Sequence, residues 1–88
     1  MDNDLDLENL DNWKKVEEKL SKDFEFTNFI EAFGFVTKIA LESEKMNHHP
    51  DITISYNKVN LKLTTHDINQ ISEKDIDLAK KIDKLKKQ

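Results

Sequence analysis

The feature that most constrains this chain is how often its apolar residues change period. Leu20, Phe24 and Phe26 fall on one side of an alternating run, with Ser21, Asp23 and Glu25 on the other, the spacing of a strand with one buried face. From Thr27 the spacing lengthens to three and four through Phe29, Ile30, Phe33, Val36, Thr37, Ala40 and Leu41, which marks a helix with an apolar stripe. Alternation returns in Ile52, Ile54 and Tyr56, and again in Val59, Leu61 and Leu63. Ile76, Ala79, Ile82 and Leu85 then restore the helical spacing. Two alternating pairs of strands, each with one apolar face and each followed by an amphipathic helix, combine most simply into an α+β domain. The expectation is a four-stranded antiparallel sheet with two long helices on one face, in the order β-β-α-β-β-α. A short helix over residues 5–11 (Leu5, Leu7 and Leu10 among acids) is expected ahead of it.

The punctuation agrees. Trp13 to Val16 and Lys19 to Phe26 read as a hairpin joined at Glu17-Glu18, and Asn57-Lys58 reads as the turn of a second hairpin. Thr27 is the expected N-cap of the first helix. That helix should end near Met46 or Asn47, because Pro50 disfavours helical backbone at His49. Gly34, inside it, is expected at a point of close packing, since Gly there costs about 1 kcal/mol relative to Ala. Ser72 with Asp75 three residues on is an Asp version of the capping box, and Ile71 with Ile76 forms a hydrophobic staple.

Composition bounds the function. Eighty-eight residues make one small domain, without Cys for disulfides or thiolate metal sites. All 14 basic residues are Lys against 18 acids, for a formal charge of −4. A net acidic chain without Arg lacks the equipment for phosphate neutralisation and bidentate base reading, so direct nucleic-acid binding is not expected. Five Lys against one Asp in residues 80–88 suit a helix C-terminus. No apolar run is long enough to span a membrane, and Met1-Asp2-Asn3-Asp4 is no basic leader, so the expected location is cytoplasmic. So thin a core makes self-association a reasonable expectation. The single Gly excludes a P-loop or dinucleotide-binding glycine loop.

The residues able to do chemistry sit at element ends. His48 and His49 follow the long helix, His66 closes the last strand, and Asp75 opens the final helix. Such ends let side chains converge while the scaffold stays rigid, and His is the side chain suited to proton transfer near neutrality. Each has a plainer role when taken singly: a helix-end cation for His48 or His49, a capping carboxylate for Asp75, a core aromatic for Trp13. A metal site is not expected, because adjacent His residues rarely reach one ion and no His pair shares a helical face.

Taken together these residues carry a resemblance. Glu44-Lys45-Met46-Asn47-His48-His49-Pro50, with Tyr56 after five residues, His66 after nine more and Asp75 after eight more, resembles the signature of the pterin-4a-carbinolamine dehydratases. The resemblance extends over residues 13–85 and includes Trp13, Phe24-Glu25-Phe26, Ala32-Phe33-Gly34-Phe35, Tyr56-Asn57-Lys58-Val59 and Leu63-Thr64-Thr65-His66. It implies removal of water from 4a-hydroxytetrahydropterin by histidine acid–base chemistry, with no cofactor and no metal. His48 and His66 would be the acid–base pair, His49 would orient the pterin, and Asp75 would orient a catalytic His. Glu44, Asn47, Pro50 and the backbone at Thr64 and Thr65 would bind the polar pterin edge, and Trp13 would wall the pocket. Asn47 departs from the acidic residue expected in many relatives. The resemblance further implies a homodimer or homotetramer. Its binding-module alternative is a dimerisation cofactor for a transcription factor.

Overall fold

The computed structural model describes residues 10–87. The expected helix over residues 5–11 lies mostly outside them; Leu10 sits in a bend and Asp11 in a turn. The elements are β1 (Lys14–Val16), β2 (Lys19–Glu25), α1 (Phe29–Met46), β3 (Asp51–Ser55), β4 (Lys58–Leu63) and α2 (Glu73–Lys86). The strands form one antiparallel sheet in the order β1-β2-β4-β3. The central β2/β4 pair joins the two hairpins, with Leu20 opposite Leu63 and Phe24 opposite Val59. This places Leu20, Phe24, Val59, Leu61 and Leu63 on the face that packs against Ile39 of α1 and Ile76, Ala79 and Ile82 of α2 in one buried cluster. The fold is the α+β arrangement expected from the alternation of periods.

Three local differences have physical causes. Asn28, not Thr27, caps α1: its side chain accepts from the Glu31 N–H at 2.9 Å, while the Thr27 N–H donates to the Glu31 carboxylate. The turn of the second hairpin is Tyr56-Asn57, one residue earlier than expected. Tyr56 takes a left-handed φ of 54° there and points to solvent, leaving the inner face to Ile52 and Ile54.

The largest difference is the orientation of α1. Its buried residues are Ala32, Phe35, Ile39 and Ser43. Phe29, Ile30, Phe33 and Leu41, the bulkiest members of the expected apolar stripe, are instead exposed, Ile30 at 79%. Two apolar stripes share this helix, and the sheet covers the less conspicuous one. Gly34 lies on the uncovered side: a Cβ added there meets nothing within 4 Å, so close packing within the chain does not explain it.

Candidate active site

The turn after α1 determines where the adjacent histidines go. Asn47 adopts φ 53°, the left-handed position that ends many helices and that Asn tolerates better than most residues. Its N–H donates to the Glu44 carbonyl at 3.3 Å, and the His48 N–H donates to the Ser43 carbonyl at 3.1 Å. These two bonds make a Schellman motif. The reversal carries His48 back under the helix end, where it is buried beside Ser43, and turns His49 outward.

His48 is met by α2. The first turn of that helix holds Asp75, wholly buried, within the capping box that Ser72 opens. Asp75 Oδ2 accepts from the Ser72 N–H at 2.9 Å and from the Thr65 hydroxyl at 2.8 Å. Oδ1 lies 2.6 Å from His48 Nε2. One oxygen therefore caps the helix while the other engages the imidazole. Thr65, the residue before His66, is itself buried and 2.5 Å from the Ser72 hydroxyl. Three segments thus converge on one carboxylate: the end of α1, the loop after β4 and the start of α2.

The other expected residues are distributed around this knot. His49 Nε2 is 2.6 Å from Glu44 Oε2, but both side chains are largely exposed. Pro50 is half-buried and the Asn47 side chain is exposed. Thr64 is buried, with its hydroxyl donating to the Glu18 carbonyl at 2.8 Å. His66 is exposed in the turn closed by the Thr65–Gln70 bridge, and it lines a shallow surface hollow with Glu17, Glu18, Lys19, Thr64 and Asn69. His66 is therefore joined to His48 through Thr65 and Asp75, while its ring lines a hollow that does not include His48 or His49.

Trp13 sits elsewhere. Its indole N–H donates to both oxygens of Asp83 at 3.1–3.2 Å, and the Lys22 ammonium, 2.9 Å from Asp83, lies 5.7 Å from the ring centroid. Asp83 is eight residues beyond Asp75 along α2, about 12 Å down the axis. Trp13 thereby fastens the start of the sheet to the far end of that helix. Among the described residues, no three of His, Asp and Glu cluster closely enough to hold a metal ion.

Sequence reading missed the Thr65 and Ser72 hydroxyls as parts of the site. Their signal was two consecutive Thr just after a strand, the second of them seven residues before a capping Ser whose N3 partner is acidic.

Comparisons with known proteins identify the family. Residues 2–85 match the family profile described as Pterin 4 alpha carbinolamine dehydratase. A provisionally named pterin-4-alpha-carbinolamine dehydratase of Prochlorococcus marinus is 52% identical over 85 residues, covering 94% of this chain and 90% of that protein. The crystal structure of a transcriptional coactivator/pterin dehydratase from Brucella melitensis superposes with a TM-score of 0.86 at 41% identity, over 90% of this chain and 86% of that one. A pterin dehydratase-like protein identified as a RuBisCO assembly factor in the α-carboxysome superposes with a TM-score of 0.71 at 25% identity, over 84% of this chain and 88% of that one. With a profile spanning nearly every residue and relatives this similar along almost their whole length, the chain belongs to the pterin-4-alpha-carbinolamine dehydratase family.

Proposed function

We propose that this protein dehydrates 4a-hydroxytetrahydropterin to the quinonoid dihydropterin, as one cytoplasmic domain working without metal or cofactor. The observation that carries this reading is the buried His48–Asp75 pair, an imidazole oriented by a fully enclosed carboxylate in a chain that belongs to the dehydratase family. In the reaction the C4a–O bond breaks and the oxygen leaves as water with a proton given by one imidazolium. The N5–H proton passes to the second imidazole, and its electron pair forms the C4a–N5 double bond. The two rings exchange protonation states and reset through solvent. His48 and His66 fill these roles. His49 and Glu44, on the open flank, orient the pterin together with Asn47, Pro50 and the Thr64–Thr65 backbone. The placement of Trp13 favours packing over pocket lining.

The test is the dehydration rate of freshly generated 4a-hydroxytetrahydropterin. The expected outcome is a rate far above buffer that falls by about 10²–10⁴ when His48 and His66 are both replaced by Ala. A rate equal to buffer removes the reading.

The exposed stripe of α1 favours a second role as a protein-binding surface. Phe29, Ile30, Phe33 and Leu41 are large apolar side chains exposed along one helix, a feature that marks interaction sites when such residues form a patch. A second copy of the chain is its first occupant, giving a homodimer or homotetramer, and a partner helix is the alternative. Sedimentation of wild type against Ile30→Lys distinguishes them: a self-associating face loses mass on substitution. A wild-type monomer that captures a helical dimerisation peptide would favour the alternative.

A further inference from the structure

We propose that the hydroxyls of Thr65 and Ser72 are positioning groups for His48, and that they fix the ring so that Nδ1 is the nitrogen it offers to a ligand. This rests on the reading of His48 as the acid–base group, and it gives the Thr65 side chain a role beside the backbone contact proposed above. The Ser72 Oγ accepts backbone N–H bonds within the capping box, so its own proton is free to go to Thr65 Oγ1, 2.5 Å away. Having accepted that bond, the Thr65 hydroxyl directs its single proton to Asp75 Oδ2 at 2.8 Å. The Ser72 N–H, which can only donate, aims at the same oxygen. Oδ2 is thereby occupied as an acceptor from two sides, and the carboxylate cannot rotate about its bond without losing both.

Oδ1 is left to meet His48 Nε2 at 2.6 Å. An acceptor at that oxygen calls for the proton on Nε2, which leaves Nδ1 of the neutral ring bare. Nδ1 has no partner among the described residues and is not one of their enclosed, unpartnered atoms, a class that holds only Ser43 Oγ. The His48 side chain keeps 10% of its surface open. The nitrogen opposite the clamp is therefore the one a bound molecule can reach. Through Thr65 the same bonds hold the residue immediately before His66.

The experiment reads the tautomer directly, without substrate. Long-range ¹H–¹⁵N spectra of labelled protein, at a pH where His48 is neutral, are expected to show Nε2 protonated and Nδ1 bare. Thr65→Val should convert this into a mixture of both tautomers and lower the dehydration kcat by on the order of tenfold at little changed KM. Thr65→Ser, which keeps the hydroxyl, should restore both readouts. Thr65→Ala asks the same question with less bulk if Val disturbs the fold. Ser72→Ala should shift the tautomer in the same direction by less. A wild-type ring protonated at Nδ1, or Val and Ala variants with the wild-type tautomer, would overturn the proposal. So would a mixed tautomer with undiminished kcat. Wild-type protein with no dehydration at all counts against the functional reading alone, because the spectra still decide the positioning claim.

Discussion

His48 and His49 are neighbours in the chain, and each has Nε2 2.6 Å from a carboxylate oxygen, yet the two pairs are physically unlike. Asp75 is enclosed, satisfied on its second oxygen and rooted in a helix cap. Glu44 is 78% exposed, on a flexible side chain, with water competing for both of its oxygens. The same distance therefore means orientation in one case and a weak surface attraction in the other, since exposed pairs contribute only about 0–1 kcal/mol and buried ones cannot be broken cheaply. Distance alone does not tell how firmly a histidine is held; the surroundings of its partner do.

The strongest way to break the contrast is Asp75→Asn. Asn is nearly isosteric, and its carbonyl oxygen can still accept from Ser72 and Thr65. Its amide then donates to His48 Nε2 and forces the ring proton to Nδ1, removing the basic nitrogen from the open side. The expected result is a folded protein whose dehydration rate falls by roughly 10³–10⁴, the size of effect a wrong-tautomer histidine produces elsewhere. Asp75→Ala is a different perturbation: it strips a buried network of its acceptor and should lower unfolding stability by about 3 kcal/mol, measured by urea denaturation. Equal activity loss without any stability difference between the two variants would contradict this account of the carboxylate.

Next in size is the split between the histidines themselves. His48→Ala should cost about 10²–10⁴ in kcat, as the loss of an acid–base group does. His49→Ala should act mainly on KM, with kcat within about tenfold, because an exposed orienting side chain contributes to binding substrate and transition state alike. Steady-state kinetics of both variants on one substrate preparation gives the comparison. A reversed order would make the outward ring the working one.

How much of this was legible from sequence depends on how local each signal is. The hairpins and the Ser72–Asp75 cap involve residues within a few positions of one another, so period and spacing carry them. The partnership of Asp75 with a histidine came from the family resemblance rather than from spacing, and it is compatible with the cap because a capping carboxylate has a second oxygen to spare. The face of α1 was not. Phe29, Ile30, Phe33 and Leu41 outweigh Ala32, Phe35, Ile39 and Ser43 in apolar bulk, and periodicity reports which side of a helix is apolar, not which neighbour covers it. The pairing of Glu44 with His49 rather than His48 was likewise hidden, because it turns on the left-handed residue Asn47. The Thr65 relay needed the relative placement of two elements and a loop, which no spacing encodes.

A smaller effect comes from removing the exposed partner. Glu44→Gln deletes the charge beside His49 and nothing that is buried, so stability should stay within about 0.5 kcal/mol of wild type. Any kinetic change should appear in KM and fade at high salt, where exposed charges are screened. A stability loss comparable to that of Asp75→Ala would mean that the two ion pairs are equivalent after all.

The finest test concerns the turn that separates the two rings. If Asn47 matters through its backbone, Asn47→Gly should leave stability and kcat close to wild type, because Gly adopts positive φ without steric cost. Asn47→Ala should lose about 1 kcal/mol in the same denaturation measurement, since a Cβ without a compensating polar group is penalised in the left-handed region. Its KM should follow that of the Gly variant, both lacking the amide. If instead the amide is what holds the pterin edge, Gly and Ala should raise KM equally while only Ala is destabilised. The two variants thus separate a residue that aims its neighbours from one that touches the ligand. They also explain how a chain with Asn at this position, and no acid, still turns one imidazole inward and the next one out.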